Sequence, residues 1–208
     1  MSVTRIITGF NSAFVEHVCC MSDSVADLAM DVSEISFGSH AMSEAPEIIP
    51  SWEKIGIIRD NLSDEYPVLW MDADSMMVSD PQPVTDMLSQ LSHGDILVAK
   101  DENGINCGVM GFYGKACARI LDDIESRYEK FKDHPWFEQA AFHEIIDSYV
   151  KETGAPPSWL KIAPKHIFNA YTNELCPDTC ILHFAGFSPE DKLTLMQAQL
   201  IADRRNKR

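Results

Sequence analysis

The chain has 208 residues, of which 45% are hydrophobic, and it carries a formal net charge of −15. This length suits one substantial core, so we expect a single domain over residues 1–208. The acidic balance argues against a nucleic-acid partner and against binding to an anionic membrane surface.

The sequence also indicates a location. No apolar run reaches the ~18 residues that predict a membrane span. The N-terminus lacks the charged-then-apolar layout of a secretory signal. We therefore expect a soluble, cytoplasmic protein.

The six cysteines fit a reducing compartment. None of them forms a Cys-x-x-Cys pair, and a structural zinc site would need four well-spaced ligands. We expect small, buried or half-buried thiols. A disulfide between Cys176 and Cys180 is the alternative.

The first third of the chain alternates strand and helix patterns, which are recognised by hydrophobic period and by capping residues. The predicted elements are a strand at 3–10, a helix capped by Asn11 or Ser12, a weaker strand at 31–38, a loop at 39–50, a helix at 51–62 and a strand at 67–71.

The rest of the chain continues the alternation, with prolines and glycines as breaks. The predicted elements are a short helix at 84–91, a strand at 95–100, a glycine-rich strand at 105–114, helices at 115–131 and 136–150, strands at 159–163 and 180–186, and a final helix at 188–205. Strands that alternate with helices favour an α/β sheet whose ligand lies at the carboxyl ends of the strands.

The final helix has clear boundary signals. Ser188 is its cap, Pro189 lies in its first turn and Asp191 follows three residues after the cap. The helix ends in a basic tail, Arg204 to Arg208. This tail is a solvated helix end favoured by the helix dipole, a contact to an anionic surface, or a junction to further domains.

The stretch from Tyr66 to Asp80 is the most informative part of the sequence. A short apolar strand leads directly into two carboxylates, Asp72 and Asp74. A carboxylate pair at the end of a buried strand is costly unless a positive charge neutralises it. Mn²⁺ or Mg²⁺, which take oxygen ligands, would do so; an acidic, solvated turn is the alternative.

Further motifs follow in a set order: an Asn-x-Gly strand containing Asn106 and Gly108, then Glu138-Gln139 on a helix, and His183-Phe184-Ala185-Gly186 near the end. With Asp72-Ala73-Asp74, this order resembles that of the GT-A fold nucleotide-sugar glycosyltransferases, especially the retaining families. The resemblance covers residues 3–192 as scattered motifs.

The resemblance implies a fold and an activity. The fold would be a Rossmann-like, mixed and mainly parallel sheet flanked by helices. The activity would be metal-dependent transfer of a sugar from a UDP-sugar to a glycan or glycoprotein acceptor, with retention at the anomeric carbon. The metal, Mn²⁺ or Mg²⁺, would be held by Asp72, Asp74 and His183.

The resemblance also implies roles for donor-binding residues. The end of the first strand, Thr8-Gly9-Phe10, would cradle the nucleobase, and Lys54, or Arg59 in its place, would reach the diphosphate. Other positions that the resemblance assigns to the donor site are Ala73, Asn106, Gly108, Gly186 and Lys192. Lys192 lies nine residues beyond His183, further than the corresponding lysine of some relatives, so its role stays open.

Glu138 and Gln139 resemble the pair that lies beneath the anomeric carbon in retaining members. Because Gln139 is a poor nucleophile, one mechanism is attack by the acceptor on the same face, with the leaving phosphate taking its proton. In the other, Glu138 acts as nucleophile or base. The sequence leaves both open.

The chain is also similar to the small soluble glycosyltransferases that large algal viruses encode. That likeness implies a viral protein, a capsid glycan as acceptor and the host cytoplasm as location.

Two alternatives remain. A haloacid-dehalogenase-type phosphatase would use Asp72 and Asp74, and His93-Gly94-Asp95 with Asp101 imitates its later acidic motif. However, its nucleophile strand normally opens the fold. The second alternative is a non-catalytic nucleotide-sugar-binding domain, since a fold can keep its shape without activity.

Overall fold

The computed structural model describes residues 4–29, 35–44 and 49–206. The strands are β1 (Thr4–Phe10), β2 (Ile35–Ala41), β3 (Val68–Met71), β4 (Ser75–Met77), β5 (Asp95–Asp101), β6 (Gly104–Tyr113), β7 (Leu160–Ala163), β8 (Ala170–Tyr171) and β9 (Ile181–His183). The helices are α1 (Val15–Ala29), α2 (Pro50–Asn61), α3 (Gln82–Ser89), α4 (Ala118–Glu125), α5 (Tyr128–Phe131), α6 (Phe137–Thr153), α7 (Lys165–Phe168) and α8 (Pro189–Asn206).

Within the described residues, six strands form one sheet in the order β2-β1-β3-β6-β5-β7. Strands β2 and β3 both pair parallel to β1, and β5 pairs parallel to β7. Strand β6 is antiparallel to both β3 and β5. A smaller sheet has the order β4-β9-β8. The mixed, mainly parallel α/β architecture expected from the sequence is confirmed.

Strand β3 lies near the centre of the large sheet and is buried along its whole length. Because successive side chains of a strand point to opposite faces, Val68 and Trp70 join the core on one face while Leu69 and Met71 join the core on the other. The first core contains apolar residues of α2, α4 and α6, and the second contains those of α1, α3 and α7. The continuous apolar run in the sequence therefore reflects a strand that is covered on both faces.

The differences from the prediction include a divided helix and a shifted strand. The helix predicted at 115–131 begins as a 3-10 turn and then divides into α4 and α5, since Ser126 and Arg127 interrupt the α-helix. The second strand begins at Ile35 and extends through Ala41 into the predicted loop. Residues 31–34 and 45–48 of these two predictions lie outside the described residues.

Helix α8 begins as the capping signals predict. The backbone N–H of Asp191 donates to Ser188 Oγ at 3.2 Å, and the Ser188 hydroxyl donates to the Asp191 carboxylate at 2.7 Å. At the other end, Arg204 donates to Asp27 at 2.6 Å and to Asp23 at 3.1 Å, so this residue of the basic tail joins α8 to α1.

All six cysteines are free thiols, so the alternative Cys176–Cys180 disulfide is not formed. Five of them are buried or half-buried as expected, but Cys19 is exposed on α1, which corrects the expectation for that residue. None of the described helices combines the length and apolar character that crossing a bilayer requires.

We expect Gly111→Ala to destabilise the protein. Gly111 lies on β6, and a Cβ atom there would stand 2.4 Å from Leu88 Cδ2 of α3, so the helix or its side chain must shift. Overpacking of this kind costs ~1–3 kcal/mol. Gly38→Ala on β2 is the matched control, because its nearest atom, at 3.7 Å, belongs to the Arg5 side chain. Urea unfolding should show a lower midpoint for the first variant alone; equal midpoints would contradict the packing argument.

Candidate active site

Asp72, Asp74 and His183 form the one group with metal-ligand geometry among the described residues. Their ligand atoms all lie within 4.8 Å of one another. The two aspartates follow β3, and His183 ends β9. The small sheet brings these distant segments together, since Ser75 pairs with His183 and the Phe184 N–H donates to the Asp74 carbonyl at 2.9 Å.

The imidazole of His183 is held in one orientation. Its Nδ1 lies 3.0 Å from Asn169 Oδ1, and its Nε2 lies 3.2 Å from Asp74 Oδ1. The Asn169 amide group donates to Asn106 Oδ1 at 2.8 Å, which leaves its oxygen to accept from Nδ1–H. A histidine that donates from Nδ1 presents the Nε2 lone pair to a cation.

Gly108 makes room for this histidine. A Cβ atom on Gly108 would lie 2.2 Å from His183 Cε1. Because the His183 ring is buried, moving it to relieve this clash would cost considerable free energy. The glycine also sits in a bulge of β6, where the pairing with β5 jumps from Met110 to Asn106. The bulge and the close approach to His183 together account for a glycine at this position.

The Asp74 carboxylate is neutralised by two neighbours. Lys192 Nζ lies 2.6 Å from Asp74 Oδ2, on the side away from His183. Burial would raise the pKa of Asp74, but His183 and Lys192 outweigh it and hold that pKa well below its usual range. The same carboxylate overcomes the effect of burial on His183 and raises its pKa. Lys192, whose role the sequence left open, therefore lies at the site.

The Asp72 carboxylate is the more accessible of the two, with 32% of its side chain exposed. Its Oδ1 accepts from Trp70 Nε1 at 2.7 Å, and Lys54 Nζ lies 3.5 Å away. Two carboxylates and one imidazole on adjacent elements form a donor set that suits Mn²⁺ or Mg²⁺, and exposure of Asp72 leaves room for a ligand. The residues present therefore fit the expected metal.

Lys54 and Glu138 form a buried ion pair beside Asp72. Their charged atoms are 2.6 Å apart, and Lys54 also donates to the Cys107 carbonyl at 3.2 Å. Burial alone would lower the pKa of Lys54, but Asp72 and Glu138 raise it well above its usual value. Arg59, the substitute candidate, binds Asp122 and Glu125 on α4 instead.

Two cavities meet at this cluster. The first, of about 260 Å³, is lined by Gly9, Phe10, Ala73, Asp74 and Lys192 among others. The second, of about 570 Å³, is lined by Asn106, Gly108, Glu138, Gln139, His183 and Gly186 among others. Both are lined by Lys54 and Asp72, so the cluster lies at their junction.

The structure thus brings almost all of the predicted site residues together. Thr8 is the exception, since it is buried and lines neither cavity. Gln139 is fixed at the surface of the larger cavity because its Oε1 accepts from the Cys107 N–H at 3.0 Å. Glu138 is buried in its ion pair, so the carboxylate is not free to rotate.

The sequence did not predict a polar network that lines the larger cavity. The Tyr171 hydroxyl donates to Asp101 at 2.6 Å and accepts from the Asn106 amide at 2.8 Å. Asn169 joins this network to His183. Residues 169–171 lie around a two-residue strand that has no hydrophobic period, so only the three-dimensional pairing reveals them.

Three solved structures superpose on nearly all of this chain. A glycosyltransferase involved in the glycosylation of the major capsid of PBCV-1 has a TM-score of 0.70 at 17% identity, over 94% of this chain and 99% of that one. The glycosyltransferase GlyE of Streptococcus pneumoniae TIGR4 has a TM-score of 0.64 at 12% identity, over 100% of this chain and 64% of that one. The galactosyltransferase LgtC, in complex with donor and acceptor sugar analogues, has a TM-score of 0.62 at 12% identity, over 93% and 95%.

This chain has the fold of these three glycosyltransferases. The GT-A fold that the motifs implied is therefore confirmed. No protein-family model and no curated protein matches the sequence. At identities this low, the likeness establishes the fold, and the chemistry must be argued from the site.

We expect Lys54→Met to destabilise the protein by ~3–5 kcal/mol, because it leaves the buried Glu138 carboxylate without a partner. The double variant Lys54→Met/Glu138→Gln should recover most of that loss, since it removes both charges. Chemical unfolding of the wild type, both single variants and the double variant measures the coupling. If the single Lys54 variant were as stable as the double, the buried pair would not be the cause.

We expect Asn169→Leu to weaken Mn²⁺ binding ~10- to 100-fold, as loss of an outer-shell partner does, because Nδ1 of His183 would lose its acceptor. Asn169→Asp keeps an acceptor at that position and should bind Mn²⁺ more tightly than the Leu variant. Titration followed by the electron paramagnetic resonance signal of free Mn²⁺ reports binding without activity. Equal affinities for the two variants would rule out the orienting role.

Proposed function

We propose that this chain is a metal-dependent glycosyltransferase that moves a sugar from a UDP-sugar to a glycan or glycoprotein acceptor with retention. The observation that carries the proposal is the Asp72–Asp74–His183 cluster at the junction of two cavities, in a fold shared with glycosyltransferases. A transferase for two substrates needs two compartments that meet at the reacting bond, and this arrangement supplies them.

In this proposal the smaller cavity takes the nucleotide. Phe10 and Phe14 give it aromatic surface for a base, and Gly9 lines it at the end of β1. Lys192 lies on the same side as Asp74 and supplies positive charge for the diphosphate. Uracil as the base rests on the family resemblance alone.

Mn²⁺ or Mg²⁺ at Asp72, Asp74 and His183 would neutralise the charge that develops on the departing diphosphate. The chain's own residues hold this set in place before a substrate arrives: Trp70 and Lys54 fix Asp72, Lys192 fixes Asp74, and Asn169 fixes His183. Groups that are already oriented need no reorganisation during the reaction.

The larger cavity would take the donor sugar and the acceptor hydroxyl. Asn106, Asp101 and Tyr171 offer polar atoms to sugar hydroxyls, in line with the predicted role of the Asn-x-Gly strand. Lys54 neutralises Glu138 at 2.6 Å, which lowers its nucleophilicity. This pairing favours the mechanism in which the acceptor attacks beside Gln139 on the face of the leaving phosphate, which takes the acceptor's proton.

The phosphatase alternative receives no support from the geometry. Its nucleophile strand opens the fold, whereas β1 and β2 precede β3 here, and they pair parallel at one side of it. Asp74 is also held on both oxygens, by His183 and by Lys192.

The viral capsid glycan as acceptor and the host cytoplasm as location stay predictions. They rest on the resemblance to small viral glycosyltransferases, and one structural neighbour is involved in the glycosylation of the major capsid of PBCV-1.

The direct test is calorimetric titration of UDP with Mn²⁺ and then with EDTA. Asp72→Ala and Asp74→Ala should each weaken Mn²⁺-dependent UDP binding by more than ~100-fold, beyond the effect of an outer-shell partner. Glu65→Ala, an exposed acidic residue outside both cavities, is the control that should bind like the wild type. Unchanged UDP affinity in both aspartate variants, with the protein folded, would overturn the assigned metal site.

A further inference from the structure

A second concave surface, which we call the aromatic groove, lies on the outer side of α6. It has a volume of about 390 Å³ and is lined by Phe131, His134, Trp136, His143 and Asp147 among others. Trp136 lines both this groove and the larger cavity of the site, so the two lie next to each other. We propose that the aromatic groove binds the non-reacting sugar units of a neutral oligosaccharide acceptor. The inference rests on the proposed transferase function and names the acceptor class.

The groove presents a row of rings. The Trp136 indole is 43% exposed, and its centroid lies 5.8 Å from that of His134 and 6.0 Å from that of His143. Phe131 extends the row, 5.9 Å from His134. The negative face of an aromatic ring attracts polarised C–H groups, and pyranose rings present such groups on one face. Neighbouring rings are tilted by 58° to 73° to one another, so the exposed Trp136 indole offers one face for a sugar ring and the other rings flank it.

The backbone is strained where the groove meets the site. Phe137 has a φ of +39°, the only positive φ of a non-glycine residue within the described ranges. Such a conformation costs ~1–3 kcal/mol and persists where the surroundings require it. Phe137 stands between the exposed Trp136, which lines the groove, and the buried Glu138, which lines the larger cavity of the site. The strained residue therefore lies where the groove adjoins the larger cavity.

The polar groups of the groove favour a neutral ligand. The side chains of Asp147 and Ser148 are exposed and make no hydrogen bond or ion pair within the described part of the chain, so both can meet sugar hydroxyls. Glu144 differs, because Arg127 and Lys130 already bind it. Lys151 also lines the groove, so its ammonium group balances the Asp147 carboxylate and the groove suits a neutral ligand, while the net charge of −15 on the whole chain disfavours an acidic glycan or a phosphorylated one.

The groove is pre-formed. His143 Nε2 donates to the Ile105 carbonyl at 2.8 Å, which holds α6 against the β5–β6 turn. A Cβ atom on Gly104 would lie 2.6 Å from His143 Cε1, so the ring packs closely on that turn. A rigid surface loses less entropy on binding than a mobile one.

The test fills the groove without touching the site. Ser148→Trp blocks it, and Asp147→Ala removes its free carboxylate; neither residue lines the larger cavity. Glu152→Trp is the matched control, since Glu152 is exposed one turn further along α6 and lies outside the groove. Trp136 is unsuitable because it lines both spaces. The probes are UDP with Mn²⁺, a panel of UDP-sugars for donor hydrolysis, and an array of neutral oligosaccharides of increasing length together with acidic glycans and peptides. Saturation-transfer NMR then measures each compound that binds on the array.

We expect the wild type and Glu152→Trp to bind oligosaccharides more tightly than the corresponding monosaccharides. Ser148→Trp should lose at least tenfold in oligosaccharide affinity, and Asp147→Ala a smaller factor, while UDP binding and metal-dependent hydrolysis of the donor by water stay at wild-type levels. Wild-type oligosaccharide affinity in Ser148→Trp overturns the proposal. So does a wild-type protein that binds UDP but no oligosaccharide, or one that binds acidic glycans or peptides in the groove instead. If the wild type did not bind UDP at all, the proposed function itself would be wrong.

Discussion

The structure depends on the neutralisation of two carboxylates at the end of a buried strand. Asp72 and Asp74 follow β3, which is covered on both faces, and charges in such a place require partners. The partners come from three separate segments: Lys54 from α2, His183 from β9 and Lys192 from α8. Compensation of charge at one point therefore joins distant parts of the chain, and the small sheet β4-β9-β8 exists where this joining occurs.

Stability alone does not account for the free-energy cost of burying charged side chains at this site. Replacing a buried ion pair by well-packed apolar side chains is often neutral or stabilising, so the Lys54–Glu138 pair at 2.6 Å would be dispensable if α2 and α6 only had to pack. Apolar residues such as Ile55 and Phe142 already supply that packing. The charged pair instead holds the Glu138 carboxylate in a fixed position next to Asp72 and the larger cavity. A pre-organised site carries such a cost in stability.

The sequence predicted the parts of the fold with strong local patterns. The apolar run of β3, the face of α2 and the cap of α8 each follow from hydrophobic period or capping chemistry, whereas the GT-A fold and most site residues came from the family resemblance. The sequence could not show that Lys54 is buried, because a lysine on a helix has the same pattern whether it is solvated or paired. Nor could it show the roles of Asn169 and Tyr171, since these depend on pairing between β8 and β9 rather than on neighbours in the chain.

The two sides of the junction differ in a way that bears on specificity. On the side that we propose for the nucleotide, groups are buried and held by ion pairs, so a single change there disturbs several partners at once. On the side that we propose for the acceptor, the space opens toward exposed rings and unpaired polar groups, where a change affects few neighbours. Under the proposed function, acceptor preference can therefore change by surface substitution while the nucleotide-binding residues are kept.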